Sequence, residues 1–462
     1  MEQIKPDLER QVDKLREPFR AFVSAQTTAS AFLVLAMGVA LWLANSRFAA
    51  DYQALQQFPL GLVYGETQVV WPLLHLVNDG VIALFFFLIG LEIKRELLVG
   101  ELRDGARARL LLSAALGGML VPAALYLAIN AGMDGGHVHG WAIPMATDTA
   151  IAIGVLAALG SRIPRSVAAF LVGVAIVDDI GAILVIALVY TEGLNLTALV
   201  VAAVFLSFLI LLNRAGFRTP ALYATAGIGL WIAIVHSGIH ASIAGVIVAA
   251  AVPARPRLRP AALGRRIGGI VAKVSAAVRP QAVLAEAHTH QRITQVERLA
   301  RASTTPLRRW EAGLELPVAL LVLPLFAFLN AGVRIDLDTV FGMFGNPVLL
   351  GTVAGLVVGK PVGILLGVWL GTRTGWAVPP PGLTTGRLAG IGLLAGVGFT
   401  MSTFIANLAL GKGTDGLAGA KFAIVVASAI SALAGYTVLR LVSERAANGT
   451  RRMAATTGVE GS

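Results

Sequence analysis

Twelve long apolar segments constrain this chain more than any other feature of its sequence. A helix that crosses a bilayer needs about 20 consecutive apolar residues, and most of the 462 residues fall in such segments. Only 14% of the residues are charged, whereas soluble domains carry about 25%. The sequence therefore predicts an all-α polytopic membrane protein and excludes a soluble enzyme, a disordered protein and a disulfide scaffold. The predicted spans are 29–45, 71–91, 110–130, 141–159, 166–190, 195–213, 219–236, 239–252, 315–331, 347–370, 388–410 and 422–439.

The distribution of Lys and Arg predicts the orientation of these spans. Nearly all of the 37 basic residues fall in the termini and in the loops on one side. The loops on the other side contain Arg47, Arg334, Lys412 and Lys421. Because basic loops stay in the cytoplasm, both termini are predicted to be cytoplasmic. The net charge of +11 is then mostly a topology signal, which argues against nucleic-acid binding.

The chain is predicted to contain three parts. A cytoplasmic N-terminal extension covers 1–26, a transmembrane region covers 27–445, and a cytoplasmic tail covers 446–462. The transmembrane region includes a basic cytoplasmic loop at 253–310, which is either mobile or contains an amphipathic helix near 281–301. Between spans one and two, residues 59–70 form two short extended-looking halves around a glycine, which predicts a small extracytoplasmic β-hairpin.

Two adjacent carboxylates inside span five mark a candidate site, because charge is expensive at membrane depth. They are Asp178 and Asp179. Neighbouring positions on a helix point about 100° apart, so we expect the two side chains to face different partners. Carboxylates bind both protons and hard cations, so a cation and protons can compete for this pair. The alternative is a charge pair that only stabilises helix packing.

Two of the predicted spans are interrupted. In span four, Pro144 is followed by Thr147 and Asp148, and span eleven contains the run Gly396-Val-Gly398. Paired interruptions of this kind point to a transporter site. The negative charge of Asp148 is placed to neutralise the partial positive charge at half-helix N-termini. The positive charge of Lys360, inside span ten, is placed to neutralise the partial negative charge at half-helix C-termini. The alternatives are a proline kink capped by Thr147 or Asp148, and glycines that serve helix packing.

Other polar residues near the membrane edges are less specific. Glu92 and Glu96 end span two, where a cation funnel, a regulatory cluster or a solvated helix end fits equally. His240 lies near the outer edge and titrates near physiological pH, although a single histidine is more often structural. Asp79 suits a cap or a packing role better than a site.

Seven stretches together resemble the NhaA-type sodium/proton antiporters of bacteria. They occur in the expected order from span two to span eleven, and the resemblance covers about 25–445. The stretches are Gly90-Leu-Glu-Ile-Lys-Arg-Glu-Leu97, Gly140-Trp-Ala-Ile-Pro-Met-Ala-Thr-Asp148, Ile176-Val-Asp-Asp-Ile-Gly-Ala-Ile183, Ser237-Gly-Ile-His-Ala-Ser-Ile-Ala-Gly245, Leu323-Pro-Leu-Phe-Ala-Phe-Leu-Asn-Ala-Gly332, Gly359-Lys-Pro-Val-Gly-Ile364 and Gly396-Val-Gly-Phe-Thr-Met-Ser402. The resemblance implies twelve transmembrane helices with inverted repeats, in which interrupted spans four and eleven cross near the midplane.

The resemblance also implies roles for individual residues. Asp178 and Asp179 bind the transported Na⁺ or protons, Thr147 and Asp148 lie at the crossing, and Lys360 is the positive partner that pairs with Asp178. Gly396 and Gly398 mark the second interruption. The residues implied in the pH response are His240, Glu92, Glu96 and Glu311. The hairpin at 59–70 matches an element that contributes to a homodimer.

The implied function is electrogenic, pH-regulated exchange of cytoplasmic Na⁺ or Li⁺ for external protons in the bacterial inner membrane. No enzyme activity is expected, and no cofactor beyond the transported ions. A cation channel and a sodium-coupled solute carrier stay open as alternatives. An intramembrane aspartyl protease is disfavoured because the chain lacks the Gly-x-Gly-Asp motif. The loop 253–310 and the N-terminal extension are longer than the family usually carries, which leaves the pH profile open.

Overall fold

The computed structural model describes residues 27–64, 67–191, 193–256, 294–295, 303–335, 345–380, 382–411 and 415–457. The predicted N-terminal extension and the candidate helix near 281–301 lie outside these residues, apart from 294–295. Within the described part, nine helices are long and apolar enough to cross a membrane, or ten if one bent pair counts as a single span. The fold is therefore that of a polytopic helical membrane protein.

Fourteen helices and two strands make up the described chain. The helices are α1 (Thr27–Ala44), α2 (Ala49–Gln56), α3 (Leu73–Val99), α4 (Gly105–Gly132), α5 (Thr149–Ala158), α6 (Arg165–Val189), α7 (Leu196–Arg214), α8 (Pro220–Val235), α9 (Ile243–Ala251), α10 (Pro306–Ala331), α11 (Pro347–Arg373), α12 (Thr385–Ala395), α13 (Phe399–Leu410) and α14 (Asp415–Thr457). The strands are β1 (Pro59–Tyr64) and β2 (Thr67–Pro72), and a 3₁₀ segment at Val138–Met145 precedes α5.

Several helices extend beyond the predicted spans, because the apolar pattern marks only the part of a helix that lies at lipid depth. Helix α10 begins at Pro306, nine residues before the predicted start at 315 and inside the predicted loop 253–310. Thr305 caps it by accepting from the amide of Arg308 at 3.3 Å, and a proline at the first helical position suits the start of a helix. Similarly, α14 continues to Thr457, well into the predicted tail.

Two predicted spans correspond to helices shorter than a membrane crossing. Helix α8 has 16 residues and α9 has nine, which makes α9 about 14 Å long against a hydrocarbon core of about 30 Å. Span eight was predicted to begin at 239, but Gly238 adopts a left-handed conformation with φ 86°. The chain turns there, and the helix starts only at Ile243.

The two ends of the helical bundle differ in character. Strands β1 and β2 pair antiparallel, and β2 leads directly into α3. We call this end the hairpin face. At the opposite end, where α3 finishes and α10 begins, the chain carries Lys94, Arg95 and Arg308, and we call this end the basic face.

Glycines allow two helix pairs to approach at backbone distance. A Cβ added at Gly363 in α11 would collide with the carbonyl oxygen of Gly117 in α4, and one at Gly367 with the carbonyl oxygen of Ser113. In the second pair, a Cβ at Gly245 in α9 would collide with backbone atoms of α3. Small residues favour such packing in lipid, where apolar burial alone does not drive helices together.

Substitution of Gly363 by valine should destabilise the protein, because the added methyl groups meet backbone atoms that cannot rotate away. Overpacking of this kind costs about 1–3 kcal/mol or more. Gly38 in α1 has nothing within 4 Å of its Cβ position, so Gly38→Val is the matched control. The thermal unfolding midpoint in detergent should fall clearly for Gly363→Val and little for Gly38→Val. Equal midpoints would contradict the proposed role of this contact.

Candidate functional site

Helix α6 directs its two adjacent carboxylates to different surroundings. The Asp178 side chain is completely buried, and its Oδ2 atom lies 2.7 Å from Nζ of Lys360. Asp179 is 6% exposed and lines a cavity instead. The divergence follows from the helical step between neighbouring residues. Two adjacent positions of one helix thus supply a closed ion pair and an accessible carboxylate side by side.

Lys360 is fully buried in α11, directly after a π-helical turn at Gly355–Gly359. Besides Asp178, its ammonium group donates to the carbonyl oxygen of Met145. Met145 ends the 3₁₀ segment, where carbonyl groups present the negative end of a helix dipole. Lys360 therefore balances two negative charges, one on a side chain and one on the backbone. The structure brings Lys360 to the half-helix C-terminus that the sequence analysis anticipated.

Asp148 connects the two interrupted helices where they cross. Its Oδ1 atom accepts from the amide of Ile151 at 3.1 Å, and its Oδ2 atom accepts from the amide of Thr400 at 3.0 Å and from its hydroxyl at 2.7 Å. In turn, the amide of Asp148 donates to the carbonyl of Val397 at 2.6 Å. One carboxylate thus serves the positive N-terminal ends of both α5 and α13.

The second interruption separates α12 from α13 at the predicted glycines. Gly396 and Gly398 lie between the two helices, whose axes differ by 50°. A Cβ at Gly396 would meet the carbonyl oxygen of Leu356, and one at Gly398 the hydroxyl of Ser402. These glycines therefore permit both the break and the close approach of neighbouring groups.

Thr147 lies within hydrogen-bonding distance of two acceptors. Its hydroxyl oxygen is 2.8 Å from Asp178 Oδ2 and 2.9 Å from the carbonyl oxygen of Ala395. A hydroxyl carries one proton, so Thr147 can donate to only one of them at a time. If it donates to Ala395, its oxygen can accept a hydrogen bond from the protonated carboxyl group of a neutral Asp178. Thr147 is thus compatible with either protonation state of this carboxyl group.

One atom of the ion pair has no partner among the described residues. Asp178 Oδ1 is buried and accepts no hydrogen bond there. A buried acceptor without a partner costs about 1–3 kcal/mol. This incompletely satisfied carboxylate is a natural position for a proton or a cation to bind.

A cavity of about 620 Å³ joins this crossing to the basic face. Its inner end is lined by Asp179, Asp148, Thr147 and Thr400, and Asp178 does not contribute to its wall. These carboxylate and hydroxyl oxygens are the ligand type that hard cations prefer. The geometry therefore opens a route from the basic face to Asp179, next to the closed pair of Lys360 and Asp178.

The outer part of the cavity is lined by Glu92, Arg95, Glu96 and Glu311. Arg95 contacts Glu96 and donates to Glu311 Oε1 at 2.7 Å. The three acids that resemblance assigns to the pH response are thus collected around one mouth. His240 is not among them: it lies toward the hairpin face, with its Nε2 atom 3.4 Å from Asp79 Oδ1. Asp79, interpreted from sequence as a cap or packing residue, is thus the partner of this histidine.

Sequence reasoning missed several partners in this network. Thr400 was not selected, although a hydroxyl residue directly after the glycine break is well placed to contact the other interrupted helix. The carbonyl of Met145 carries no side-chain signal at all. Three asparagines were also missed: Asn78 and Asn330, which are buried, and Asn407, which is partly exposed. Polar residues in apolar spans are a usable signal because they bond across helices.

Comparison with known proteins gives a consistent result. The family model described as Na⁺/H⁺ antiporter 1 matches residues 20–439. A protein of Shewanella denitrificans named Na(+)/H(+) antiporter NhaA 1 is 42% identical over 439 residues, which cover 95% of this chain and 97% of that protein. Proteins with corresponding names from Psychromonas ingrahamii and Oleidesulfovibrio alaskensis are each 43% identical, over 95% and 93% of this chain and 92% and 95% of their own.

The buried pair of Lys360 and Asp178 should show strong energetic coupling. Removing one partner of a buried ion pair costs about 3–5 kcal/mol, because the other charge is left uncompensated. We expect Lys360→Met to lower the thermal midpoint in detergent strongly. The double variant Lys360→Met/Asp178→Asn should recover much of that loss, since no unpaired charge remains. If the effects of the two single variants simply add, the pair is not coupled.

Proposed function

The chain belongs to the Na⁺/H⁺ antiporter 1 family, and on this premise we propose that its crossing-helix site exchanges Na⁺ for protons. The observation that carries the proposal is the contrast between two neighbouring carboxylates. Asp179 lines a cavity that leads to the basic face, whereas Asp178 is closed off with Lys360. Such a site has one accessible carboxylate and one carboxylate whose charge is compensated. This arrangement fits competition between a cation and protons better than it fits a purely structural charge pair.

Competition at one site couples the two ion fluxes. When Na⁺ binds to Asp179, with oxygen ligands from Thr147 or Asp148, protons leave the carboxyl groups. When protons return, Na⁺ is released. Moving an unpaired charge through hydrocarbon is costly, so only the neutralised site changes sides. No separate coupling device is then required, and no cofactor takes part beyond the transported Na⁺ or Li⁺ and H⁺.

Exchange is proposed to be electrogenic. Two acids, or one acid and Lys360, allow more than one proton to be exchanged for each Na⁺. Inward movement of one net positive charge is favoured by about 2.3 kcal/mol per 100 mV. The membrane potential would thereby help to drive Na⁺ out of the cell, which supports a role in sodium and pH homeostasis.

The proposed topology places the basic face in the cytoplasm of a bacterial inner-membrane protein, with both termini on that side. The distribution of basic residues supports this orientation. We further propose twelve crossings with inverted repeats. In this arrangement the short helices α8 and α9 complete their crossings with irregular backbone, which is tolerated where protein covers it. The hairpin of β1 and β2 is proposed to contribute to a homodimer.

Regulation by pH is proposed to act at the cavity mouth. Glu92, Glu96 and Glu311 gather around Arg95 there, so their protonation would change both the charge of the mouth and its contacts between α3 and α10. His240 would report on pH from the opposite end of the bundle.

The decisive variant is Asp179→Asn. It removes the accessible charge while keeping the side-chain shape, so we expect complete loss of exchange with normal amounts of protein in the membrane. The assay is Na⁺-induced dequenching of a pH-sensitive dye in everted vesicles over a range of pH around neutrality. Asp51→Asn, on the exposed surface of α2, is the control and should exchange normally.

Each result of this assay has a defined meaning. Normal exchange by Asp179→Asn would contradict the assignment of the site. Sodium flux that does not depend on a proton gradient would indicate a channel. Sodium flux that needs an organic solute would indicate a sodium-coupled carrier.

Charge at the cavity mouth should change the apparent affinity for Na⁺. Glu311→Gln removes a negative charge and should raise KM for Na⁺, whereas Arg308→Gln removes a positive charge and should lower it. Interactions of exposed charges are about 0.2–1 kcal/mol, so the change for the exposed Arg308 should be no more than several-fold, with a maximal rate near that of the wild type. Glu311 is buried, so its substitution should have the larger effect. The effect of Arg308→Gln should shrink at high ionic strength, whereas that of the buried Glu311 is screened less. Shifts of the same sign in the two variants would contradict an electrostatic origin.

A further inference from the structure

A second polar cluster lies on the hairpin side of the crossing. The amide of Asn330 in α10 donates to Asn78 Oδ1 at 2.7 Å and accepts from Asn78 Nδ2 at 3.2 Å. Asn407 in α13 donates to the same Asn330 oxygen at 3.0 Å. We call these three residues the asparagine cluster. It joins α3, α10 and α13, and the exchange mechanism described above does not use it.

Ionisable groups continue from this cluster toward the hairpin face. Asp79 follows Asn78 in a π-helical turn at Leu76–Val81. Its carboxylate lies 2.8 Å from His75 Nδ1 and 3.4 Å from His240 Nε2. A small cavity of about 10 Å³ beside His75 and Asp79 is also lined by Trp231. That volume is about the minimum for one water molecule, so one water molecule fits beside this carboxylate.

Helix α13 connects the asparagine cluster to the site. Thr400 binds Asp148 and lines the large cavity. Asn407 lies seven residues further along, on the same helical face and about 10 Å away. Thr403, buried at 2% exposure, occupies that face between them. One face of α13 therefore carries polar groups from the crossing to the asparagine cluster.

An apolar layer interrupts this polar face. The ring of Phe404 in α13 lies 5.2 Å from that of Phe86 in α3 and 6.3 Å from that of Phe326 in α10, between centroids. All three side chains are almost completely buried. The same three helices that supply the asparagines supply these rings. The layer is about one helical turn thick along α13, since Phe404 is four residues from Thr400 and three from Asn407.

We propose that the asparagine cluster and Asp79 form a second ion-transfer site, on the path between the crossing and the hairpin face, and that Phe404 closes this path. The inference rests on the proposed exchange, because a path to the hairpin face is needed only if the protein carries ions across the membrane. Amide and carboxylate oxygens suit Na⁺, and Asp79 with His75 and His240 suits protons. Movement of α13 opens the path by breaking the contact of Asn407 with Asn330, while the reciprocal pair of Asn78 and Asn330 stays intact.

The first test measures leakage through the closed path. Purified protein in liposomes receives a membrane potential from a potassium gradient with valinomycin, and an internal dye records proton entry without Na⁺ or Li⁺. Phe404→Ala should raise this cation-independent proton flux several-fold over wild type, and Phe404→Leu should raise it less. Phe170→Ala is the control: Phe170 in α6 is similarly buried but does not line the large cavity, so it should show no leak. Wild-type flux in a folded Phe404→Ala variant would overturn the role of Phe404.

The second test uses the absence of cysteine from the sequence, which makes any introduced thiol unique. Asn407→Cys and Ala406→Cys are adjacent and face different directions on α13. During turnover in right-side-out vesicles, an impermeant thiosulfonate reagent added outside should modify Asn407→Cys several-fold faster than in vesicles without Na⁺ or a proton gradient, whereas the rate at the fully buried Ala406→Cys should not change with turnover. Equal rates at Asn407→Cys with and without turnover would overturn the proposed path even if Phe404→Ala does not fold.

Failure of this inference can be told from failure of the proposed function. If the wild type shows no Na⁺/H⁺ exchange, the proposed function fails and the path has no substrate. If the wild type exchanges normally while Phe404→Ala stays tight and neither thiol reacts faster during turnover, only the path is wrong.

Discussion

The architecture depends on balancing the broken helix ends inside the bundle. Interrupting two helices at membrane depth exposes amides and carbonyls that water cannot satisfy. Asp148 serves the N-terminal ends of α5 and α13 together, and Lys360 serves the carbonyl end at Met145. These two charged groups stabilise the crossing by compensating its backbone groups. Thr147 and Asp178 lie next to the crossing as a result. The binding geometry is therefore a consequence of the same compensation that permits the fold.

The position of Lys360 at the crossing depends on close packing between the backbones of two helices. Helix α11 lies against α4 through Gly117, Gly363 and Gly367, with no room for a side chain between them. The π-helical turn at Gly355–Gly359 directly precedes the lysine, and such turns often occur at functional sites. The long side chain of Lys360 can be buried here because its aliphatic part packs beside Gly118. Its ammonium group meets two acceptors, the Asp178 carboxylate and the Met145 carbonyl oxygen.

Sequence alone predicted the class of fold and the residues that carry charge at the crossing, because intramembrane charge and interrupted apolar runs are rare enough to be informative. Asp178, Asp179, Asp148 and Lys360 were selected on that basis alone. Helix ends were predicted poorly: α10 begins in a polar stretch at Pro306, where hydropathy gives no signal. Backbone partners such as the Met145 carbonyl, and π-helical turns, leave no pattern in side-chain chemistry. The asparagine cluster was overlooked because each member is a single neutral residue in an otherwise apolar run.

In the proposed exchange, the neighbouring positions of Asp178 and Asp179 would give one helix two functions that a single carboxylate could not combine. An acid that is open to the cavity can exchange ions with solvent. By itself, however, it does not keep the site electrically neutral while the protein changes conformation. An acid paired with Lys360 holds its charge in balance, but it does not line the cavity that leads to the basic face. Because the two are joined by one peptide bond, occupation of Asp179 by a cation acts directly on the electrostatics of the pair beside it. In the proposed exchange, coupling would then arise from proximity on α6, and the phenylalanine layer beyond Thr400 lies between the crossing and the asparagine cluster.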